Sequence, residues 1–384
     1  MTERLYYRDC YLREFHARVT ETSDEGRRVY LDRTAFYPAS GGQPFDLGTL
    51  GGVAVREVVD EEDRIAHVLE APLAAAEVQG EIDWTRRFDH MQQHTGQHLL
   101  SAVLIELFEI PTLSFHMSAV TSSIDVGAAA IEPKRIERVE ERCAEIVAEA
   151  RPVTITFEEA CADLGLRKSS ERSGTLRIVS IEGVDRSACG GTHLRSTAEI
   201  GPILIRKLDK VRGNARIEFV CGLRALHQAR SDFRLLSEIS RSLSGPFEET
   251  PTLVAAQIEK AKTLEKQSQR LAAELARREG AEMYTAAEPD AAGLRRAIQR
   301  GAIDDTMRVR AQAFVSGPKA VFLAVCDEPP SLLLAASGDS GIHAGERMKA
   351  AVTAAGGRGG GNQTVAQGSV PHTAALEAVV QSLV

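Results

Sequence analysis

Asp83-Trp-Thr-Arg-Arg-Phe-Asp-His-Met-Gln-Gln-His94-Thr-Gly-Gln-His98-Leu-Leu-Ser-Ala-Val-Leu-Ile-Glu-Leu-Phe108 is the stretch on which the reading of this chain turns. Asp83 is a good N-cap, because its carboxylate can accept from amides of the first turn. Leu99, Leu100, Val103, Leu104 and Leu107 recur at three-four spacing, which predicts one helix with an apolar face, ended by Pro111. On such a helix His94 and His98 stand one turn apart on the same face, roughly 6 Å along the axis, so both can reach one ion. Farther on, Cys189-Gly-Gly-Thr-His193 lies in a small-residue loop that can fold tightly around a metal. A histidine pair at this spacing also arises by coincidence on amphipathic helices, but the loop has no apolar stripe to explain its composition. His94, His98, Cys189 and His193 form a donor set that suits zinc. A zinc protease fits poorly, since Thr95 stands where HExxH needs its general-base Glu.

With 384 residues, 43% hydrophobic and 26% charged, the chain has room for two or three domains with ordinary cores. Its longest apolar runs, Ala320 to Val325 and Leu332 to Ala336, are strand-length rather than membrane-spanning. The start, Met1-Thr-Glu-Arg-Leu, has no apolar signal core. Six scattered cysteines do not read as a disulfide framework, so a reducing, cytoplasmic setting is expected. A net charge of −8 argues against bulk attraction to nucleic acid while leaving room for local basic patches.

The fold class expected is α+β in four parts. Residues 1–85 alternate apolar and polar in short runs between glycine-rich turns, as in Arg28-Val-Tyr-Leu-Asp and Val53-Ala-Val-Arg-Glu-Val-Val, and predict a small β-barrel. Residues 86–224 predict an α+β zinc-binding domain, with a second helix opened by Pro133 and strands at Val153–Phe157, Leu176–Ile181, Pro202–Leu208 and Ala215–Cys221. Residues 225–287 predict a helical arm, broken around Gly245-Pro246 and Pro251. Its seam Val254, Ile258, Ala261, Leu264, Ser268, Leu271, Leu275 suggests coiled-coil packing. Residues 288–384 predict an α/β domain with a glycine-rich loop, Gly356-Gly-Arg-Gly-Gly-Gly361. That run lacks the Lys-Ser/Thr ending of a phosphate-cradling loop, so close approach of a backbone or an RNA phosphate is the better reading.

Four segments in order carry a family resemblance: Thr34-Ala-Phe-Tyr-Pro-Ala-Ser-Gly-Gly-Gln-Pro-Phe-Asp-Leu-Gly, His94-Thr-Gly-Gln-His-Leu-Leu-Ser, Cys189-Gly-Gly-Thr-His, and Gly356-Gly-Arg-Gly-Gly-Gly-Asn-Gln-Thr-Val-Ala-Gln-Gly. Together the chain resembles the free-standing alanyl-tRNA editing proteins of AlaX type, long form, and is similar to the editing and C-terminal domains of alanyl-tRNA synthetase. The β-domain begins almost at Met1, which leaves no region for an aminoacylation core, so hydrolysis rather than synthesis of aminoacyl-tRNA is expected.

The resemblance implies a trans-editing deacylase for tRNA(Ala) mischarged with Ser, chiefly, or with Gly. It implies one Zn2+ per chain held by His94, His98, Cys189 and His193, and a homodimer through the C-terminal region. It also implies that Thr34 reads the serine hydroxyl and that Gln43 lines the site. Two departures stand out: Gln363-Thr364 replaces a usual Pro-Asp pair, and Ala39 replaces a frequent acidic residue.

A bound zinc could polarise the ester carbonyl and activate water, or instead orient the substrate's amino group. Four tight ligands would make a closed, structural site, so hydrolysis through the metal needs one weak or exchangeable ligand or a fifth position, and His193 is expected to be the looser fourth ligand. Selectivity demands a polar reader. A purely hydrophobic pocket discriminates a hydroxyl by about a hundredfold, whereas a site built to bond it rejects the analogue lacking it by roughly 10⁴. For RNA contact the candidates are Lys210 and Arg212, in the densest basic stretch, and Arg358 in the glycine run. Two other readings remain: a noncatalytic tRNA-binding or dimerisation protein with a structural zinc, and a metal-dependent phosphodiesterase, which lacks its Asp-His-His cluster here.

Overall fold

Alternating residues at the N-terminus close into a barrel, as their pattern predicts. The computed structural model describes residues 1–161, 164–168 and 173–383. Eight strands come first: β1 Glu3–Arg4, β2 Glu14–Ser23, β3 Arg28–Leu31, β4 Arg33–Thr34, β5 Gly48–Leu50, β6 Val53–Glu61, β7 Arg64–Leu69 and β8 Glu77–Ile82. Six of them form a closed antiparallel barrel in the order β2-β3-β7-β6-β5-β8. Register shifts in β2 and β6 supply the local bending that closure needs. Phe15, Val29, Leu31, Leu50, Val58 and Ile65 fill the interior. Gly80 makes room for one of them, since a Cβ there would lie 2.3 Å from the Phe15 ring.

Helix α1, Trp84–Phe108, starts where expected, with the Asp83 carboxylate accepting from Arg86 N at 3.1 Å. It ends at Phe108, as read from the sequence. Glu109 turns left-handed at φ 57°, and its amide satisfies carbonyls of the last turn. From His90 to Leu104 every residue is buried, on all faces of the helix.

Around it lie β9 Thr112–Met117, β10 Ser122–Val126, α2 Pro133–Ala148, β11 Val153–Glu159, β12 Thr175–Ile181, β13 Asp185–Ala188, β14 Ile203–Val211 and β15 Asn214–Cys221, followed by α3 Gly222–Ser242. Two sheets, β14-β15-β10-β9 and β11-β12-β13, enclose a core centred on Leu99, Leu100, Val103, Leu104, Ile217 and Phe219. Strands β9, β10 and β13 were not expected; they are short and rich in Ser, Thr, His and Asp.

The C-terminal part contains α4 Thr250–Ala286, β16 Arg295–Arg300, α5 Asp305–Phe314, β17 Ala320–Asp327, β18 Pro330–Ala336, α6 Ala344–Ala354, β19 Arg358–Gly361, β20 Val365–Ser369 and α7 Thr373–Leu383. Its sheet runs β16-β17-β18-β20-β19, with β16 and β17 parallel and the other pairs antiparallel. The sheet is therefore mixed. The apolar runs in β17 and β18 follow from burial on both faces, with Val321, Leu323 and Val325 on one side and Ala320, Phe322 and Ala324 on the other.

The glycine-rich segment is also corrected: Arg358–Gly361 is a strand, not a loop. Its glycines bring backbones together, for a Cβ on Gly361 would lie 2.2 Å from the Val365 carbonyl oxygen. The α4 seam finds no coiled-coil partner among the described residues, and Ile258, Leu264, Leu271 and Leu275 stay exposed. Instead α4 packs on α5 near Gly280, where a Cβ would meet the Arg310 carbonyl at 2.3 Å.

Contacts divide the chain into two compact units, Met1–Glu238 and Ile239–Val384, a coarser division than the four parts read from sequence. Within the first unit a buried ion pair ties barrel to helix. Arg87 and Asp46 are both fully buried, and the guanidinium also donates to the carbonyls of Cys10 at 2.9 Å and Ala35 at 2.6 Å. Removing one partner strands a charge, so Asp46→Asn should lower unfolding stability in urea by about 3–5 kcal/mol. Breaking the exposed Arg138–Glu141 pair should cost less than about 1 kcal/mol.

Candidate metal centre and its cavity

α1 presents His94 and His98 on one face, and the loop after β13 carries Cys189 and His193 to meet them. Their four donor atoms all lie within 4.8 Å of one another. Cys189 Sγ stands 3.5 Å from His94 Nε2 and 3.3 Å from His193 Nε2. Bonds of about 2.3 Å from sulfur and 2.0 Å from nitrogen in a tetrahedral shell require donor separations of this order, so the four residues fit a zinc ion. Close packing enforces the arrangement, since a Cβ on Gly191 would fall 2.1 Å from His94 Cε1.

Each imidazole is held through its other nitrogen. His94 Nδ1 pairs with Gln43 Oε1 at 2.8 Å, His98 Nδ1 with Asp185 Oδ2 at 2.8 Å, and His193 Nδ1 with Thr95 Oγ1 at 3.2 Å. Such partners fix ring orientation and leave Nε2 for a metal. They are anchored in turn. Gln43 Nε2 donates to Thr192 Oγ1 at 2.8 Å, Arg167 Nε donates to Asp185 at 2.6 Å, and Thr95 Oγ1 accepts from Leu194 N at 3.1 Å. Arg177 Nε donates to the Tyr7 carbonyl at 2.9 Å, and its NH1 donates to the Cys189 carbonyl, clamping the cysteine loop.

Electrostatics favour a thiolate at Cys189, a neutral His193 and a protonated His98. Burial opposes ionisation of Cys189, yet His94 and His193 hold its thiol well below the ordinary value. Burial, and then the nearby His94, lowers His193 to about 3. For His98 burial works against protonation, but the bond to Asp185 outweighs it and raises the ring to about 9. Burial would raise Asp185; His98 and Arg167 instead bring it down to about 2.

His94, His98 and Cys189, but not His193, form part of the wall of a cavity of about 420 Å³, which also has Tyr6, Tyr7, Tyr37, Gln97 and Phe115 in its lining. That volume lies in the range of small-molecule sites. Gln43 joins the cluster as the partner of His94 rather than as a cavity-lining group.

Thr34 is placed elsewhere. It is fully buried at the end of β4, outside the cavity lining, with Oγ1 2.8 Å from His67 Nε2 and accepting from Phe36 N at 3.1 Å. Lys210 and Arg212 are exposed at the β14–β15 turn without ion-pair partners among the described residues, whereas Arg206, Lys207 and Arg216 are paired with Asp232, Asp209 and Asp125. Arg358 is exposed on β19 of the other unit. Asp185, Thr95, Arg167 and Arg177 were missed, because single polar residues carry no spacing signal.

In the first unit a barrel is joined to an HxxxH helix and a CxxxH loop, and the two motifs converge on one ion-sized space. Residues 176–218 match the family described as "Threonyl and Alanyl tRNA synthetase second additional domain". The chain is 36% identical to the alanyl-tRNA editing protein AlaX-L of Pyrococcus horikoshii over 65% of its own length and 64% of that protein. It is 33% identical to the alanyl-tRNA editing protein Aarsd1 of Danio rerio over 59% and 60%. It is 31% identical to the alanine–tRNA ligase of Pyrococcus abyssi over 100% of this chain and 43% of the ligase. The chain thus spans less than two thirds of each of these relatives. Over these spans it is similar to alanyl-tRNA editing proteins and to alanine–tRNA ligases.

Two outcomes test the site. Asp185→Asn should weaken zinc affinity about 10–100-fold, measured by chelator competition. His67 is fully buried, and burial outweighs its bond to Val29 to lower it from 6.5 to about 4. Its neutral form is therefore favoured by folding. That stabilisation is complete above about pH 6.5 and is lost as pH falls through 4, to a total of up to about 3 kcal/mol. Urea titrations at stepped pH should show this acid slope, and His67→Gln should flatten it.

Proposed function

We propose that this chain is an aminoacyl-tRNA deacylase that clears tRNA(Ala) mischarged with Ser or Gly, with zinc at the four-donor cluster. The observation that carries this reading is the convergence of His94, His98, Cys189 and His193, the first three of them in the wall of a cavity sized for a small aminoacyl group. The names of its relatives, which are alanyl-tRNA editing proteins and alanine–tRNA ligases, support the tRNA assignment.

When bound, zinc supplies Lewis acidity for ester hydrolysis. The protein's own part is positioning. Gln43, Asp185 and Thr95 aim the three imidazoles, while Arg177 and Gly191 seat the cysteine loop. The supports are unequal: His98 has a carboxylate and His94 an amide, but His193 has only a hydroxyl, at the longest of the three distances. That supports His193 as the ligand most easily loosened when substrate binds. Lys210 and Arg212, uncompensated on an exposed turn, are the proposed contacts for the tRNA backbone in the first unit, and Arg358 in the second. The exposed apolar seam of α4 is compatible with self-association.

A noncatalytic protein with a structural zinc is the competing reading, because four protein donors can close the shell. A phosphodiesterase has less support. The four-donor cluster is the one metal-competent group found among the described residues, and it contains no aspartate.

Hydrolysis assays with Ser-, Gly- and Ala-tRNA(Ala) decide between these. We expect release of Ser and Gly but not Ala, loss of activity on chelation and recovery with added zinc. A zinc-loaded protein that releases nothing from any of them would establish the noncatalytic reading. Cys189→Ala should lose bound zinc, by metal analysis, and about 10²-fold or more in rate.

A further inference from the structure

Most hydroxyl groups in the cavity wall are already spent on the protein. Thr112 donates to Ser101 Oγ at 2.6 Å, Ser114 to Asp125 at 2.9 Å, Ser187 to Asp185 at 3.0 Å and Tyr37 to the Ser40 carbonyl at 3.0 Å. Tyr7 differs. Its Oη accepts from Arg4 NH1 at 3.4 Å, and no acceptor for its own proton is present among the described residues. The side chain is half-buried and lines the cavity. A Cβ on Gly190 would lie 3.6 Å from Oη, so the hydroxyl stands beside the residue that follows Cys189.

Several contacts place this ring. Arg177 Nε donates to the Tyr7 carbonyl at 2.9 Å while NH1 of the same guanidinium holds the Cys189 carbonyl, so one side chain sets the spacing between the tyrosine and a metal donor. Tyr6 meets the ring edge-on at 5.0 Å, and the guanidinium carbons of Arg4 and Arg177 lie 5.6 and 5.5 Å from its centroid. Arg4 is itself fixed by two bonds of 2.7 Å to Asp60. All of this acts on the backbone, the ring and the oxygen; the hydroxyl proton takes no part in it.

We propose that Tyr7 is a general acid for the hydrolysis, giving its hydroxyl proton to the ribose oxygen that leaves; this rests on the deacylase reading above. As water adds its oxygen to the ester carbonyl carbon and the bond from that carbon to the ribose oxygen breaks, the bonding electron pair goes to the ribose oxygen. The Tyr7 proton passes to that oxygen, and the proton shed by the attacking water restores the phenol through solvent. Ester and water thus become acid and alcohol with no other reagent. A phenol is a stronger acid than an aliphatic alcohol, so the transfer runs in the favourable direction, and the phenolate formed faces the Arg4 guanidinium.

Tyr7→Phe removes the hydroxyl and keeps the ring. On Ser-tRNA(Ala) kcat should fall by roughly 10²–10⁴, with KM and zinc content little changed. A fall of less than about tenfold, a change confined to KM, or loss of zinc would overturn the proposal. Leaving-group acidity separates a proton donor from a spacer. Trifluoroethanol departs with little need of a proton, so the deficit of the variant should be at least about tenfold smaller on seryl trifluoroethyl ester than on seryl ethyl ester, and equal deficits refute the role. Tyr6 shares the Arg4 contact, at 3.5 Å, but is fully buried; a larger fall in kcat for Tyr6→Phe than for Tyr7→Phe, with zinc retained in both, would refute the assignment. If Tyr7→Phe fails to fold, Tyr7→Leu is read by the same measurements. An unaltered protein that releases no amino acid from tRNA defeats the deacylase reading itself, whereas release of Ser at equal rates with and without the Tyr7 hydroxyl defeats only this proposal.

Discussion

The site depends on a charge pair that touches neither metal nor cavity. Asp46 ends the glycine-rich segment and Arg87 lies in the second turn of α1, and each is fully buried. The same carboxylate accepts from Tyr37 N at 2.6 Å, which closes the loop on itself, and Arg87 holds that loop's start through the Ala35 carbonyl. Gln43 therefore has a fixed position relative to His94, although the two residues belong to different layers. Without this clamp the barrel and the helix would each still have a core, but the amide that aims His94 would have no assigned place. An ion pair buried this deeply is weak evidence for net stability. Its value here is registry, because it sets which loop atom meets which turn of the helix.

The metal centre then follows as a set of paired choices. Each ring nitrogen facing away from the cluster meets a distinct support: an amide, a carboxylate or a hydroxyl. The supports come from a loop of the barrel, from β13 and from α1 itself, so the centre forms only when all three are folded together. Charge follows the same division. The Asp185–His98 bond favours the protonated ring, whereas burial favours the neutral form of His193.

Local signals were legible in the sequence, and long-range pairings were not. Asp83 and the leucine spacing marked the start and the buried residues of α1; Pro133 marked α2; and alternation marked the longer barrel strands. The four donors could be read because HxxxH and CxxxH each have internal spacing. Asp185 could not, since nothing in its neighbourhood states that it will meet His98 from 87 residues away. Arg87 and Asp46 likewise look like ordinary surface charges until the chain folds. The glycine-rich strand β19 was hidden for a different reason: strand propensity resides in branched and aromatic side chains, and a run of glycines has none. The meeting of Thr34 with His67 spans 33 residues of sequence, a pairing that no local pattern encodes.

One feature of α1 has a bearing on motion. A helix buried on every face from His90 to Leu104 cannot fray or tilt without parting both sheets and the barrel loop from it. Local opening there costs nearly as much as unfolding the whole unit, so its amides belong to the slowest-exchanging class. Two of the metal donors and the cavity amide of Gln97 are thus mounted on the least mobile segment, whereas Cys189 and His193 arrive on a loop. Any adjustment at the cluster must come from the loop side, with the helix acting as the fixed reference against which it moves.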